Sequence, residues 1–573
     1  MKNKLYYGDN LDVLRKYIKD ESVDLCYIDP PFNSKRNYNQ IYNNVGKEDK
    51  AQAQAFVDTW TWDDEANQGL REIQSNFNGM FTNQSIDLID GLTKVLKKNS
   101  LLAYLVSMTL RIAEIHRVLK STGSFYLHCD PTASHYLKFV LDAIFCPGGG
   151  DFQSEIIWKR TSSHNRCKRW GPIHDVIFYY SKSDKLVWNR VLQDLDGNYV
   201  KSSYNHVDDK GGYSTGDLTG PGIRIGDSGK TWKGIDPTSR GRHWEVPPDR
   251  ALPTWFVFPE NYNTMSIQER LDILDAQGLI AFPKKKNGGM PRFKRYLSEN
   301  SGTAIQDIIL DIQPISARAA ERLGYPTQKP EALLERIIKA SSDENAVILD
   351  AYCGCGTTIA VAEKLKRNWI GIDITYQSIS LILKRLAEQT PGALDTLEIN
   401  GVPKDFDSAV ALANKQDDRT RKEFEKWMVL TYSRNQAVIH EKKGSDAGID
   451  GIAYLPDRND RGELENRKVL FSVKSSAKLS PAVIRELNGT IERENAVCGI
   501  LLTLHPMPNL VKESKQYGSY YNKLVARDYP KIQVVSVEAM LNGELLELPN
   551  VLKVLKDAEQ HSEQMGLLQR NEK

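Results

Sequence analysis

The 573-residue chain has no apolar run of the roughly 20 residues that a membrane-spanning helix needs, so no membrane association is expected. Its start, Met1-Lys2-Asn3-Lys4-Leu5-Tyr6-Tyr7, lacks the apolar stretch and small-residue cleavage site of a signal peptide, and a cytoplasmic protein is expected. Cysteine is sparse. Of seven, two fall in Cys353-Gly354-Cys355, with no second close pair and no Cys/His set at zinc spacing, so reduced thiols are expected rather than a disulfide scaffold or zinc module. An excess of one charge is also missing: 76 basic residues nearly cancel 74 acidic ones, and any nucleic-acid surface must be local.

What remains is an ordinary globular composition, 40% hydrophobic and 26% charged, in a chain long enough for two or three packed units. The first segment alternates strand-like and helical runs. Val23 to Ile28 and Ser124 to His128 read as strands, while Leu110, Ile112, Ile115 and Leu119 recur at helical spacing between Ser107 and Leu119. From about Asp184 to Ala320 the texture shifts to Gly, Pro, Asp and Trp, which predicts short strands and loops inserted across one α/β domain. The α/β pattern then resumes, with a helix from Pro330 to Ala340, a strand from Ala346 to Leu349, a helix from Thr358 to Leu365 and a strand from Trp369 to Ile372. A polar connection near 393–418 leads to a helix starting at Arg421 and a second α/β set.

Two motifs carry chemistry. The first, Ile348 to Thr358, is an apolar strand ending in Asp350, then Tyr352 and a turn containing Gly354 and Gly356 that opens a helix; in an α/β sheet this turn lies at the strands' carboxyl ends, where ligands bind. It lacks the third glycine of a pyrophosphate-binding G-x-G-x-x-G turn. A cofactor without phosphate, S-adenosylmethionine, suits it better. Asp373 ends the next strand, near the twenty-residue spacing at which an acid accepts ribose hydroxyls. Taken alone, the glycine pair is a structural turn and Asp373 a helix cap; strand, loop, helix, strand and acid together point to a cofactor.

The second motif is Asp29-Pro30-Pro31-Phe32, which follows the strand Leu25 to Ile28. Two prolines forbid further ladder pairing and make a rigid turn. An exocyclic amine is a poor nucleophile because its lone pair is delocalised into the ring. The Asp29 carboxylate and the Pro30 carbonyl can each accept an amino hydrogen, while Phe32 stacks on a base drawn out of the duplex. Read blandly, the same tetrapeptide is a strand-ending turn with Phe32 in the core. Methylation of a cytosine ring carbon would need a cysteine just after a proline, and Cys146-Pro147 runs in the reverse order.

With both motifs in this order, residues 1 to about 385 resemble the beta group of DNA amino-methyltransferases, in which the catalytic tetrapeptide precedes the target-recognition region and the cofactor loop comes last. The resemblance implies an α/β fold: a Rossmann-like methyltransferase that uses S-adenosylmethionine, with an inserted target-recognition region. It also implies that Tyr7-Gly8-Asp9-Asn10-Leu11 forms the turn beside the cofactor adenine, and that Tyr325 to Pro330, with Thr327 and Lys329, contacts the methionine end. Tyr352 stands where the family usually has phenylalanine, which should leave stacking on the cofactor intact. Aspartate at position 29 is commoner among adenine methylases, which makes adenine in double-stranded DNA the expected target and the cytosine amino group the alternative. In the insertion, Arg224, Lys230, Lys233, Arg240, Arg242 and Arg250 interleave with Trp232 and Trp244, a set suited either to phosphates and bases or to a charged face over two core tryptophans.

The carboxyl-terminal set resembles the Mrr-type restriction-endonuclease fold, making a second α/β domain. That resemblance implies a magnesium ion held by acids and a lysine at the scissile phosphate. Asp450, the expected metal ligand if the domain is active, and Lys474 match its motif; Ser472 occupies the place of the second acid or glutamine, and Glu425 on the preceding helix is a substitute. The expected organisation is therefore a catalytic half (1–183), target-recognition region (184–320), cofactor half (321–392), linker (393–418), endonuclease-like domain (419–556) and polar tail (557–573). A restriction-modification role follows, open to a homodimer, a restriction partner, or one chain that both methylates and cuts.

Overall fold

The computed structural model describes residues 2–31, 36–44, 47–58, 60–161, 170–283, 289–300, 302–316, 319–323, 325, 327–390, 392–414, 418–433, 437–440 and 448–548, with the backbone alone at 36–44, 47–58, 418–421 and 438. By internal contacts the chain forms two compact units, residues 1–189 with 307–573, and residues 190–306.

The first unit holds a nine-stranded sheet made of β1 (Lys4–Tyr7), β2 (Val23–Ile28), β3 (Leu119–Cys129), β4 (Asp151–Lys159), β5 (His174–Ser181), β6 (Ile308–Ile309), β7 (Val347–Asp350), β8 (Asn368–Asp373) and β9 (Glu398–Asn400). Across the sheet the order is β6-β4-β5-β3-β2-β7-β8-β1-β9. All neighbours are parallel except β5, which runs antiparallel to both β3 and β4. Parallel sheets are covered on both faces, so their strands are apolar throughout. In β2, Leu25 and Tyr27 enter one core and Cys26 and Ile28 the other.

Helix α1 (Asn10–Tyr17) follows β1. Farther along the chain, immediately before β3, α2 (Ser100–Val118) buries nearly its whole circumference; its amino end, capped by Asn99, lies well before the expected Ser107, because a fully apolar helix shows little periodicity. Beyond β6 come α3 (Glu331–Ser341), α4 (Thr357–Lys364) and α5 (Tyr376–Gln389). The chain leaves β2 toward β3 but leaves β7 through α4 toward β8, so β2 and β7 flank the point where the winding reverses. Ligands of open α/β sheets bind there, beyond the strands' carboxyl ends.

The expected linker at 393–418 is not one. Glu398–Asn400 pairs with β1 as the edge strand β9, and α6 (Phe406–Ala413), capped by Asp405, buries Ala409 and Leu412 against α7 (Asp418–Tyr432). The few apolar residues among polar neighbours are the ones consumed in packing. Through Phe424, Trp427, Met428 and Leu430 of α7, the methyltransferase core continues without a break into a five-stranded sheet. That sheet is β10 (Val438–Ile439), β11 (Gly451–Arg458), β12 (Leu464–Lys474), β13 (Cys498–Thr503) and β14 (Ile532–Ser536), in that order, antiparallel up to β12 and parallel beyond.

The second unit has a four-stranded sheet (Ile280–Ala281, Arg292–Tyr296, Gly211–Asp217, His206–Asp208) and the short segments expected of its composition. It also contains a helix, Ile267–Ala276, opened by a capping box between Ser266 and Glu269.

Candidate active site

The register of β2 with β7, Leu25 against Ile348 and Cys26 against Leu349, brings the two strand ends together. Asp29 follows one and Asp350 closes the other. Both open on a cavity of about 990 Å³ whose wall also includes Tyr7, Lys329, Gly354 and Asp373. Small-molecule sites run to roughly 1,000 Å³, so there is room for a nucleoside-sized cofactor with a base beside it.

Asp29 is mostly buried and its Oδ2 is ion-paired with Lys329 Nζ. Lys329 Nζ also donates to the Thr327 carbonyl at 3.2 Å. Thr327 adopts φ +64°, a left-handed conformation that costs a β-branched residue about 1–3 kcal/mol and turns that carbonyl back toward the lysine. Oδ1 of Asp29 is buried and, among the described residues, accepts no hydrogen bond. A buried carboxylate oxygen without a donor is costly to leave unmatched. Pro30 and Pro31 join the cavity wall; Phe32 lies outside the described residues.

Asp350 is buried, and burial, with Asp29 and Asp373 nearby, pushes its carboxyl up to about 7 despite a hydrogen bond from Tyr352 N at 3.0 Å. Burial raises Asp373 as well; its Oδ2 accepts from Gly354 N at 2.9 Å and its Oδ1 from Thr375 N at 2.9 Å. Asp373 therefore ties the tip of the glycine turn to the start of α5. Gly354 (φ +50°) lines the cavity, whereas Gly356 (φ +74°) does not: a Cβ there would stand 2.6 Å from Ile382 Cγ1, so its role is close packing of α4 against α5. The Tyr352 ring lies on the cavity wall with its hydroxyl donating to Met108 Sδ at 3.6 Å.

Asp9 and Asn10 are at the cavity and already committed. Asp9 Oδ1 caps α1 by accepting from Leu11 N at 2.9 Å, and its Oδ2 accepts from Arg111 Nη2 at 2.8 Å. Asn10 Nδ2 donates to the Ala351 carbonyl at 2.8 Å, and Asn10 Oδ1 accepts from Arg111 Nε at 2.6 Å. Arg111 belongs to neither motif; the signal for it was a lone cation in the apolar run Leu101 to Ile115. Glu423, on α7, also reaches the cavity, which no motif indicated.

In the second unit Trp232 and Trp244 are buried, with ring centroids 5.7 Å apart and both indole N–H groups bonded, to Asp272 Oδ1 and the Lys230 carbonyl. They are core residues and not stacking platforms. Arg242 is bonded to Thr219, and Lys233 is paired with Asp275. Arg224, Lys230, Arg240 and Arg250 are exposed.

In the C-terminal sheet Asp450 Oδ2 accepts from Val473 N at 2.6 Å. A Cβ on Gly448 would meet Lys474 Nζ at 3.7 Å and Ser472 Oγ at 3.8 Å, so Ser472 and Lys474 converge beside the loop that carries Asp450. Glu425 is half-buried on α7. Among the described residues no group of three or more His, Cys, Asp or Glu side chains could hold a metal ion. Magnesium usually keeps several waters and is held by one or two carboxylates with substrate phosphates; Asp450 is the carboxylate of this motif, and Ser472 stands where a second acid or glutamine is expected.

Fold and cavity define a doubly wound α/β protein with an acid-rich crevice at the carboxyl ends of its strands. Comparison with known proteins is specific: the model of a family described as DNA methylase, of the N6 and N4 type, matches residues 23–384, and one described as restriction endonuclease matches residues 417–532. The chain belongs to the DNA methylase family and carries a restriction-endonuclease-type module. It is 32% identical over 366 residues to the type II methyltransferase M.EcaI of Enterobacter cloacae, covering 63% of this chain and 70% of that protein. It is 26% identical over 384 residues to the DNA adenine methyltransferase YhdJ of Escherichia coli K12, covering 67% and 82%. The solved M1.HpyAVI–SAM complex aligns with 67% of this chain and 98% of its own at a TM-score of 0.30 and 14% identity. The protein is a DNA methyltransferase, and S-adenosylmethionine is the methyl donor of its family. The cavity suits that donor: it is a cation with no phosphate, and the wall carries several carboxylates, Asp29, Asp350 and Asp373 among them. Among the described residues no helix is long and apolar enough to cross a membrane.

Proposed function

We propose that the chain methylates the N6 amino group of adenine in double-stranded DNA, with Asp29, Pro30, Pro31 and Phe32 at the reacting amine. The observation that carries this reading is Asp29 on the cavity wall, with Lys329 holding Oδ2 and, among the described residues, no donor on the buried Oδ1. An adenine turned out of the duplex would give one amino hydrogen to that oxygen and the other to the Pro30 carbonyl, returning lone-pair density to nitrogen. When bound, S-adenosylmethionine supplies an electrophilic methyl group on a sulfonium. Asp350 faces the donor's positive charge, Asp373 and the Asp9–Asn10 turn hold its nucleoside, Tyr352 and Gly354 its body, and Thr327 with Lys329 the side toward Asp29. Gly356 shapes the turn from behind.

The adenine choice is supported by the aspartate at position 29 and by relatives such as YhdJ. The endonuclease-type module supports a place in a restriction-modification system in the cytoplasm, with a homodimer or a separate restriction partner as the forms to distinguish. Double-stranded DNA incubated with the enzyme and methyl-labelled donor, then digested to nucleosides, should yield N6-methyl-2′-deoxyadenosine. N4-methyl-2′-deoxycytidine would overturn the base assignment, and ring-methylated deoxycytidine would overturn the chemistry.

A further inference from the structure

We propose that Glu423, carried by the endonuclease-type module, is a binding residue of the methyl-donor site, so that occupancy of this site is linked to the C-terminal sheet. The inference rests on the cavity being the donor site. Glu423 falls within the stretch matched by the endonuclease family, residues 417–532, yet it lines the cavity with Tyr7, Asp373 and Thr375. Its side chain is only 10% exposed.

The carboxylate is held in place from three sides. Oε2 accepts from Tyr376 N at 3.0 Å, at the first residue of α5, and from Tyr7 Oη at 3.4 Å; Oε1 accepts from Lys426 Nζ at 3.0 Å. Burying a carboxylate costs several kcal/mol unless donors match it. A helix N-terminus, a phenol and an ammonium do so here. Two carboxylate oxygens offer about four acceptor positions, so capacity remains for a ligand hydroxyl or amine. Asp373 spends its oxygens on Gly354 and Thr375, the latter directly before Tyr376. Glu423 therefore adds a second acid at the same corner, where a nucleoside would present its ribose hydroxyls or amino group.

The helix supplies the link. The residues after Glu423 include Phe424, Trp427, Met428 and Leu430, which share one hydrophobic core with Val469, Phe471 and Val473 of β12. That strand ends in Lys474. A ligand that tightens the Glu423 corner thus bears on a continuous packed path into the module, and binding energy differing between two states of that path would couple them in both directions.

The test uses the full chain. Binding of S-adenosylmethionine and S-adenosylhomocysteine is measured by calorimetry, DNA affinity by a separate titration, and amide exchange with and without donor. Glu423→Ala should weaken donor binding about tenfold or more and leave DNA affinity unchanged; Glu423→Gln, which keeps the shape but replaces an acceptor with a donor, should weaken it at least threefold. Donor should slow exchange in α7 and β12 as well as in the glycine turn. Unchanged donor affinity in Glu423→Gln, or protection confined to residues before 418, overturns the inference. Asp373→Ala separates the two levels: if it binds donor normally, the cavity is not the donor site and both readings fall; if it loses binding while Glu423→Gln does not, this inference alone fails.

Discussion

Lys329 and Asp29 form a buried ion pair across 300 residues of sequence, joining the segment before α3 to the Asp29-Pro30-Pro31 turn that follows β2. The pair holds Oδ2, and in the proposed mechanism Oδ1 is the oxygen that accepts from the substrate amine. Asp29→Asn should lower kcat by about 10²–10⁴-fold, the range for a lost positioned proton acceptor, with donor affinity within about threefold of wild type. Lys329→Met leaves a carboxylate without its cation and should cost about 3–5 kcal/mol of stability by denaturant titration, besides lost turnover.

Asp350 predicts a pH signature. Its folded-state carboxyl, raised to about 7 by burial, holds a proton that the unfolded chain releases near the ordinary value of 3.8. The contribution to stability is therefore fully present below about pH 4 and is lost as pH rises through about 7. Asp350→Asn should flatten that slope in melting curves of the donor-free protein. A cationic sulfonium beside Asp350 favours the ionised form, so binding S-adenosylmethionine near neutral pH should release protons, and S-adenosylhomocysteine should release fewer. Calorimetry in buffers of different ionisation enthalpy measures both.

Gly356 combines φ +74° with a would-be Cβ at 2.6 Å from Ile382. Gly356→Ala should destabilise the protein by at least about 1–3 kcal/mol through strain and overpacking, lowering Tm and donor affinity together. Gly79, also at positive φ but with open space around it, provides the comparison, and Gly79→Ala should cost less.

The second unit separates packing from DNA binding. Trp244→Ala removes a buried ring bonded to the Lys230 carbonyl and should cost about 3–5 kcal/mol, seen as early unfolding of residues 190–306 in amide exchange. Substituting the exposed Arg224, Lys230 and Arg240 with alanine should leave stability within about 0.5 kcal/mol. It should weaken DNA binding and reduce the salt dependence of log K by about one for each phosphate that is no longer neutralised.

The local chemistry of this protein is set by its sequence. Two prolines after an apolar strand end that strand wherever they occur, a Gly-x-Gly after a strand-ending acid makes a turn that opens a helix, and the order of these motifs defines an amino-methyltransferase with an endonuclease-type module. Partnership and burial were decided only in three dimensions. Trp232 and Trp244 have the same spacing from cations whether they face DNA or a core, and 393–418 is polar on average although a few of its residues seal α6 against α7. Lys329 reaches Asp29, Arg111 holds Asp9 and Asn10, and Glu423 lines the same cavity because distant elements pack at one crevice. Pairings across hundreds of residues leave no periodicity or spacing in the chain; they exist only once the core has set which side chains meet.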